Sequence, residues 1–365
     1  MEKKVNLDDP ESIERTDPSG MLKAVLDFPN QIRRALEVGR SGSRLPSVQG
    51  MDGVVVLGMG GSGISGDVVA CLAADRGLAL PVFTVKGYGL PSFVGRDTLV
   101  FAVSYSGNTE ETLSAASAAH KRGARLVAVA SGGKLSEAAG KWGIPLYSIP
   151  AGLQPRAALG YLFVPILRAL EESGLLSGVS EDLEKTAEVL DERSAEFSPD
   201  RALEDNATKR LAKDLMGYLP VIYGSEGFPS VAALRWKAQF NEMAKVPAFY
   251  NSFPELNHNE TVGWLHLEEV CSRAHVVVLR DPDEHPRLEK RIGITMDLLE
   301  GSVGRMTQVC ARGDTTVGKL LDVIYFGDWV SVYLAIALGQ DPTPVERIEE
   351  LKKRLASNGV SGDNP

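Results

Sequence analysis

Cysteine is scarce in this 365-residue chain, with only Cys71, Cys271 and Cys310. They are odd in number and far apart, without the short paired spacing that builds zinc sites or redox dithiols, so buried thiols are expected. Histidine is nearly as sparse. His120, His266, His275 and His285 show no H-x-x-x-H relation, receive no role, and give no reason to expect a metal. Dense basic runs are missing too: 39 Lys and Arg against 48 acidic residues leave a net charge of -9. A nucleic-acid groove needs concentrated positive charge, so no nucleic-acid partner is expected, whereas a small anion needs only a local positive site. The N-terminal "MEKKVNLDDPESIERTDPSG" has no apolar core for a signal peptide, and no later apolar run reads as long and continuous enough to cross a bilayer. No membrane partner and a cytoplasmic location are the expectation.

The residues present suffice for two ordinary domains, since 44% of them are hydrophobic. Apolar runs alternate with helical patterns, the signature of an α/β fold whose parallel sheets are flanked by helices. In the first half the strands are predicted at Val54–Leu57, Pro81–Val85, Thr98–Ser104, Arg125–Ala130 and Ile144–Ile149, with a helix over Glu110–Lys121 that closes on Gly123. A second series runs through "LPVIYGSEG", "AHVVVLRDP" and "RMTQVCARG" to the long pattern "VIYFGDWVSVYLAIALG". The stretch "SGMLKAVLDFPNQIRRALEVG" predicts one extra helix, and the acidic "LSGVSEDLEKTAEVLDERSAEF" a solvated connecting helix. The expected division is a helical extension over 1–48, a first lobe over 49–175, a connecting segment over 176–217, and a second lobe with C-terminal helices over 218–365. "VVLGMGGSG" and "PVIYGSEGF" each follow a strand with a small glycine-containing turn, a slight sign of duplication.

The first of these turns raises the question of its ligand. Gly58, Gly60 and Gly63 in "VVVLGMGGSGISGD" match G-x-G-x-x-G, so a dinucleotide is one reading. That reading demands an acid ~20 residues on, at the end of the next strand, to hold the ribose. The strand end "FTVKGYG" offers Lys86 instead, and Asp75 falls before the strand begins. Further along the chain lies a second turn, "SYSGNTEET", where Ser104, Ser106 and Thr109 stand at a helix start whose free N–H groups favour an anion. With Ser62, four hydroxyls can converge on one phosphate; alternatively each is only a helix cap.

The pair "GMGGSGISGD" and "SYSGNTEETL" resembles the sugar isomerase (SIS) domain, a flavodoxin-like fold that binds phosphosugars. The order of "GMGGSG", "SYSGNTEET", "PRAALGYLF", "RWKAQFNEMAKVPAFYNSFPELNHNE" and "DPTPVERIEELKKRLA" is similar to the bifunctional phosphoglucose/phosphomannose isomerase family, from about Met21 to Leu355. The resemblance implies two SIS-type lobes and no cofactor. It also implies interconversion of glucose 6-phosphate and/or mannose 6-phosphate with fructose 6-phosphate through a cis-enediolate. Gly61, Ser62, Ser104, Ser106, Thr109 and Arg156 are the substrate-binding residues it implies.

Such a reaction moves a proton between neighbouring carbons, so it needs a base, a second acid–base group for ring opening, and a cation at the enediolate oxygen. Glu242 in "QFNEMAKV" lies in a helical pattern near Trp236, Phe240 and Met243, a partly desolvated setting that suits a base. On composition alone it would be a surface glutamate; the resemblance assigns it proton transfer. His258 in "PELNHNE" can give and take a proton near neutrality, and the resemblance has it reach the sugar from the second subunit of a homodimer with shared active sites. Asn257, Asn259 and Glu260 either orient it or simply form a polar loop. The resemblance places Arg156 in "LQPRAALGY" beside the reacting carbons, and Lys352 in "IEELKKRLA" at the sugar end, with Lys353 the alternative register. Without it, both lysines are the solvated face of an amphipathic helix. Thr343 stands where the family has a threonine linked to accepting both epimers. The rival function is a phosphosugar sensor without chemistry, but residues before the first lobe are too few and too acidic for a DNA-binding headpiece, and a sensor has no need of Glu242 with His258.

Overall fold

In the computed structural model, which describes residues 5–357, the chain begins with helices Pro10–Thr16 (α1), Met21–Leu26 (α2) and Phe28–Glu37 (α3) and a short strand Arg40–Ser41 (β1). The outer limits of the expected first and last segments, residues 1–4 and 358–365, lie outside the described residues. The single extra helix expected here is two. Asp27 ends α2 and starts α3, and Pro29, in the first turn of α3, has no N–H with which to continue the ladder from α2.

The first sheet and its crossovers run as Gly53–Leu57 (β2), Gly60–Asp75 (α4), Val82–Val85 (β3), Thr98–Ser104 (β4), Glu110–Lys121 (α5), Arg125–Ala130 (β5), Gly133–Trp142 (α6), Leu146–Ser148 (β6) and Leu159–Glu172 (α7). Every residue of β2 and β4 is buried, as strands covered on both faces must be. The order is β1-β6-β5-β4-β2-β3, parallel throughout except for β1, with Leu57 opposite Ala102. This is a flavodoxin-like winding, whose direction reverses between β2 and β4.

Val179–Phe197 (α8) and Ala207–Leu215 (α9) lead into Leu219–Gly224 (β7), Phe228–Gln239 (α10), Phe249–Ser252 (β8), Glu268–Cys271 (α11), Ala274–Arg280 (β9), Pro286–Leu299 (α12), Arg305–Cys310 (β10), Thr316–Ala337 (α13) and Glu346–Ser357 (α14). The second sheet, β10-β9-β7-β8, is fully parallel and is wound in the same sense with two strands fewer.

Strand alternation sorts side chains into three packed layers. Val54 and Val56 of β2 join Ile222 of β7, Val277 of β9 and the apolar faces of α4, α7, α10 and α13 in one cluster between the sheets. Val55 and Leu57 face outward under α5 and α6, and Val221 and Val276 face outward under α12.

Three expectations need correction. The helix α13 is long and apolar enough to cross a membrane, contrary to the reading that no run is, but its apolar window is entirely buried inside the protein. The stretch expected as a solvated connector, α8, lays Leu183, Ala187, Leu190 and Phe197 into the core, because its apolar residues recur on one face beneath the acidic one. Of the thiols only Cys271 is buried; Cys71 is half-buried and Cys310, ending the edge strand β10, is exposed.

Candidate active site

The ends of β2 and β4 diverge at the winding reversal, which leaves a crevice between the two glycine-bearing turns. Gly61 makes the first turn possible: a Cβ there would lie 2.6 Å from the carbonyl oxygen of Pro155, so only glycine lets the 3-10 turn Pro155–Ala157 press against the start of α4. Gly107 does the same for the second turn, with φ +68° and a Cβ position 1.8 Å from the Gly132 carbonyl oxygen.

The hydroxyls tie these turns together. Ser104 Oγ is buried 2.9 Å from Thr109 Oγ1, and Ser62 Oγ accepts from the Tyr105 amide at 3.2 Å. Ser106 is exposed at the rim, its Oγ accepting from the Asn108 amide at 3.3 Å. Thr109 occupies the N-cap position of α5 without capping it: its side chain accepts no helix N–H. Asn206 before α9 and Thr315 before α13, in contrast, accept from their own helix amides. The first turn of α5 therefore keeps N–H groups that no side chain satisfies. Lys86, the residue that spoils the dinucleotide pattern, pairs with Asp67 and lines the same crevice.

A cavity of about 170 Å³ opens beside the first turn, lined by Gly60, Gly61, Lys86, Arg156, Gln239 and Glu242 among others; Ser62, Ser104, Ser106 and Thr109 do not line it. Arg156 is 3% exposed, with Nη1 3.7 Å from Glu242 Oε2. Its Nη2 donates to the carbonyls of Pro342 at 2.9 Å and Thr343 at 2.5 Å, so the guanidinium is pinned from the opposite side. Burial lowers the Arg156 pKa from its usual value, and the carboxylates of Glu242 and Asp341 push it back. Its Nε is buried without a partner, as is the hydroxyl of Thr343. Glu242, 28% exposed, is carried on a π turn, Phe240–Ala244, that extends α10. Such a widened turn shifts a side chain off the α-helical face and recurs at functional sites. Trp236, Phe240 and Met243 are fully buried beneath it, and Trp236 Nε1 donates to the Val323 carbonyl at 2.8 Å.

Three supporting residues escaped the sequence reading. Arg235 donates twice to Asp328, at 3.1 and 2.6 Å, and once to the Arg156 carbonyl at 3.0 Å; Gln239 donates to the same carboxylate at 2.8 Å. This buried triad holds the Arg156 backbone. The available signal was Asp328 itself, an acid inside the apolar run "VIYFGDWVSVYLAIALG".

Not every expected residue meets in one chain. His258 ends the 3-10 turn Glu255–His258, exposed and outside this cavity. Its neighbours anchor the loop rather than the imidazole. Glu260 accepts from the Tyr223 hydroxyl and from Asn251 Nδ2, Trp264 Nε1 donates to Tyr223 at 3.1 Å, and Asn257 Nδ2 donates to Thr295 Oγ1 at 2.8 Å. Asn259 reaches only Glu255. Lys352 and Lys353 are exposed on α14, and neither lines the cavity.

A family model described as "Bacterial phospho-glucose isomerase C-terminal SIS domain" matches residues 204–355. The chain is 42% identical to the bifunctional phosphoglucose/phosphomannose isomerase of Caldicellulosiruptor bescii, across 92% of this chain and 99% of that one. It is 37% identical to the protein of the same name from Aquifex aeolicus, across 83% of this chain and 90% of that one. Among solved structures, a hypothetical protein from Thermus thermophilus superposes with a TM-score of 0.71 at 16% identity, covering 96% of this chain and 94% of the other, a likeness of fold alone.

Proposed function

The chain belongs to the bifunctional phosphoglucose/phosphomannose isomerase family, and from that membership and the cavity geometry we propose how it works and on what. The protein is an aldose–ketose isomerase of sugar phosphates. In our reading it interconverts glucose 6-phosphate and/or mannose 6-phosphate with fructose 6-phosphate.

The phosphate sits on Ser62, Ser104, Ser106 and Thr109 and the free amides of α5, beside Gly61, and the sugar extends toward Arg156 and Glu242. Glu242 takes the proton from C2 of the open-chain aldose and returns it to C1, through a cis-enediolate. Arg156 stabilises the oxygen that gains charge, and because its position is already fixed by backbone carbonyls, little reorganisation is needed as that charge develops. His258, supplied by the second copy in a homodimer, opens the ring, and Lys352 contacts the sugar end. Each sheet with its helices forms one SIS lobe, over 49–175 and 218–365, with 1–48 as extension and 176–217 as connection. The observation that carries the reading is the carboxylate of Glu242 held 3.7 Å from a buried guanidinium in a cavity that begins at the Gly60–Gly61 turn.

The deciding measurement is exchange of the C2 hydrogen with solvent deuterium, alongside coupled assays with both aldose phosphates and fructose 6-phosphate. The parent should exchange and turn over, and Glu242→Gln should bind ligand but not exchange. Binding without exchange in the parent would make the protein a sensor. For the shared site, mixing Glu242→Gln with His258→Ala should restore partial activity after subunit exchange, because one hybrid site regains both groups. No recovery after demonstrated exchange would place both groups in one chain.

A further inference from the structure

We infer that Lys245 is a positioning residue of this site, whose ammonium locks the turn carrying Glu242 to the segment that pins Arg156. Lys245 and Leu267 are the two non-glycine residues with positive φ among the described residues, and Lys245 sits at φ +59°, directly after the π turn. That left-handed step folds the side chain back. Its Nζ donates to the carbonyls of Glu242 at 2.7 Å and Met243 at 3.2 Å, oxygens at the end of the helix where ladder partners run out. A third bond, at 3.1 Å, goes to the carbonyl of Pro342, the oxygen that also accepts from Arg156 Nη2. One backbone oxygen thus joins both cations, and a three-donor group spans the two sides of the cavity.

The charged groups facing Lys245 are Arg156 from the Pro155–Ala157 turn, Glu242 from its own turn, and Asp341 from the segment after α13. Partial desolvation of this otherwise exposed residue, then the charge of Arg156, brings its pKa down to about 8, against the pull of the two carboxylates. A neutral amine has two N–H donors for three carbonyls, so the clamp loosens as pH rises through about 8. Stability moves the other way. The folded-state pKa lies below the ordinary 10.5, the unfolded chain binds more protons between the two values, and the Lys245 contribution to stability therefore rises with pH across that window.

This inference rests on the isomerase reading, and the test separates the two. With fructose 6-phosphate near neutral pH, Lys245→Met should lower kcat by about 100-fold while KM stays within about threefold, since the clamp orients the base without holding phosphate. The parent's kcat should fall through about pH 8, and that limb should vanish in Lys245→Arg, whose guanidinium stays charged. A Lys245→Met kcat within about threefold of the parent, or an unchanged limb in Lys245→Arg, overturns the inference. If Lys245→Met fails to fold, the limb in Lys245→Arg decides alone. If the parent shows no turnover, the isomerase reading fails instead. Two other readouts then judge the clamp: titration of the 13C-labelled Lys245 Cε by NMR, and a crystal structure of Lys245→Met or Lys245→Arg. Titration at the ordinary lysine value, or an undisturbed Arg156–Pro342 bond in Lys245→Met, would overturn it.

Discussion

At the winding reversal of the first sheet, β2 and β4 run into Gly58–Ser62 and Ser104–Thr109; at that of the second, β7 and β9 run into Gly224–Phe228 and Arg280–Asp281. The backbone plan is the same, and each place borders a cavity, the second being the larger at about 730 Å³. The side chains differ in sign. The second cavity is lined by Asp67, Asp75, Glu226 and Asp281 against Lys86, which it shares with the first, and the exposed Glu226 stands where an anion would have to approach the start of α10. Three of these acids already have partners: Asp67 in Lys86, Asp75 in Thr316 and Asp281 in Lys319. A topology supplies a place for a ligand, and only its turns decide which ligand.

The contrast can be broken most sharply by paired substitutions. Glu242→Gln should reduce kcat by about 10²–10⁴, the usual worth of a positioned base, while Glu226→Gln should leave it within about twofold. Equal losses in steady-state assays would mean that both reversals serve catalysis. Next in size is the phosphate: Ser104→Ala with Thr109→Ala should weaken sugar-phosphate binding by about 1–3 kcal/mol in calorimetry, and Ser225→Ala, in the second turn, should not change it. The smallest effect concerns helix starts. Asn206→Ala removes a buried acceptor of the Thr208 and Lys209 amides and should cost about 0.5–2 kcal/mol of stability by denaturant unfolding, with ligand binding intact. Thr109→Ala should show the reverse, weaker binding at nearly parent stability, and a loss of stability like that of Asn206→Ala would make Thr109 a plain cap.

Local chemistry explains how much was readable in advance. Thr98–Ser104, Arg125–Ala130 and Glu110–Lys121 form to the residue as expected, because each is a mostly apolar run or an acid-first helix closed by Gly123. The two glycine turns were legible from their own glycines and hydroxyls, and the meeting of Arg156 with Glu242 through family resemblance, which supplied a long-range contact that no periodicity shows. The features that stayed hidden depend on partners distant in sequence. Arg235 finds Asp328, and Lys245 finds Pro342, only once α10 lies against α13. The burial of α8 was obscured because its acidic face dominates the composition while the inner face decides the packing. His258 and Lys352 remain away from the cavity in one chain, and the role read for His258 calls for a second.

The cluster that holds Val54, Ile222, Val277 and Trp329 in common has a consequence for how the molecule can be cut. Topology divides it in two, but solvent does not, since the middle layer of helices is the interior of both halves at once. A fragment ending near residue 175 would keep α4 and α7 over the inner face of its sheet but turn their far sides toward water, and the remainder would expose the facing sides of α10 and α13 in the same way. Each piece would keep only its outer layer, under α5 and α6 or under α12, and lose the shared one, so the chain should melt in one transition and tolerate no severed version of itself.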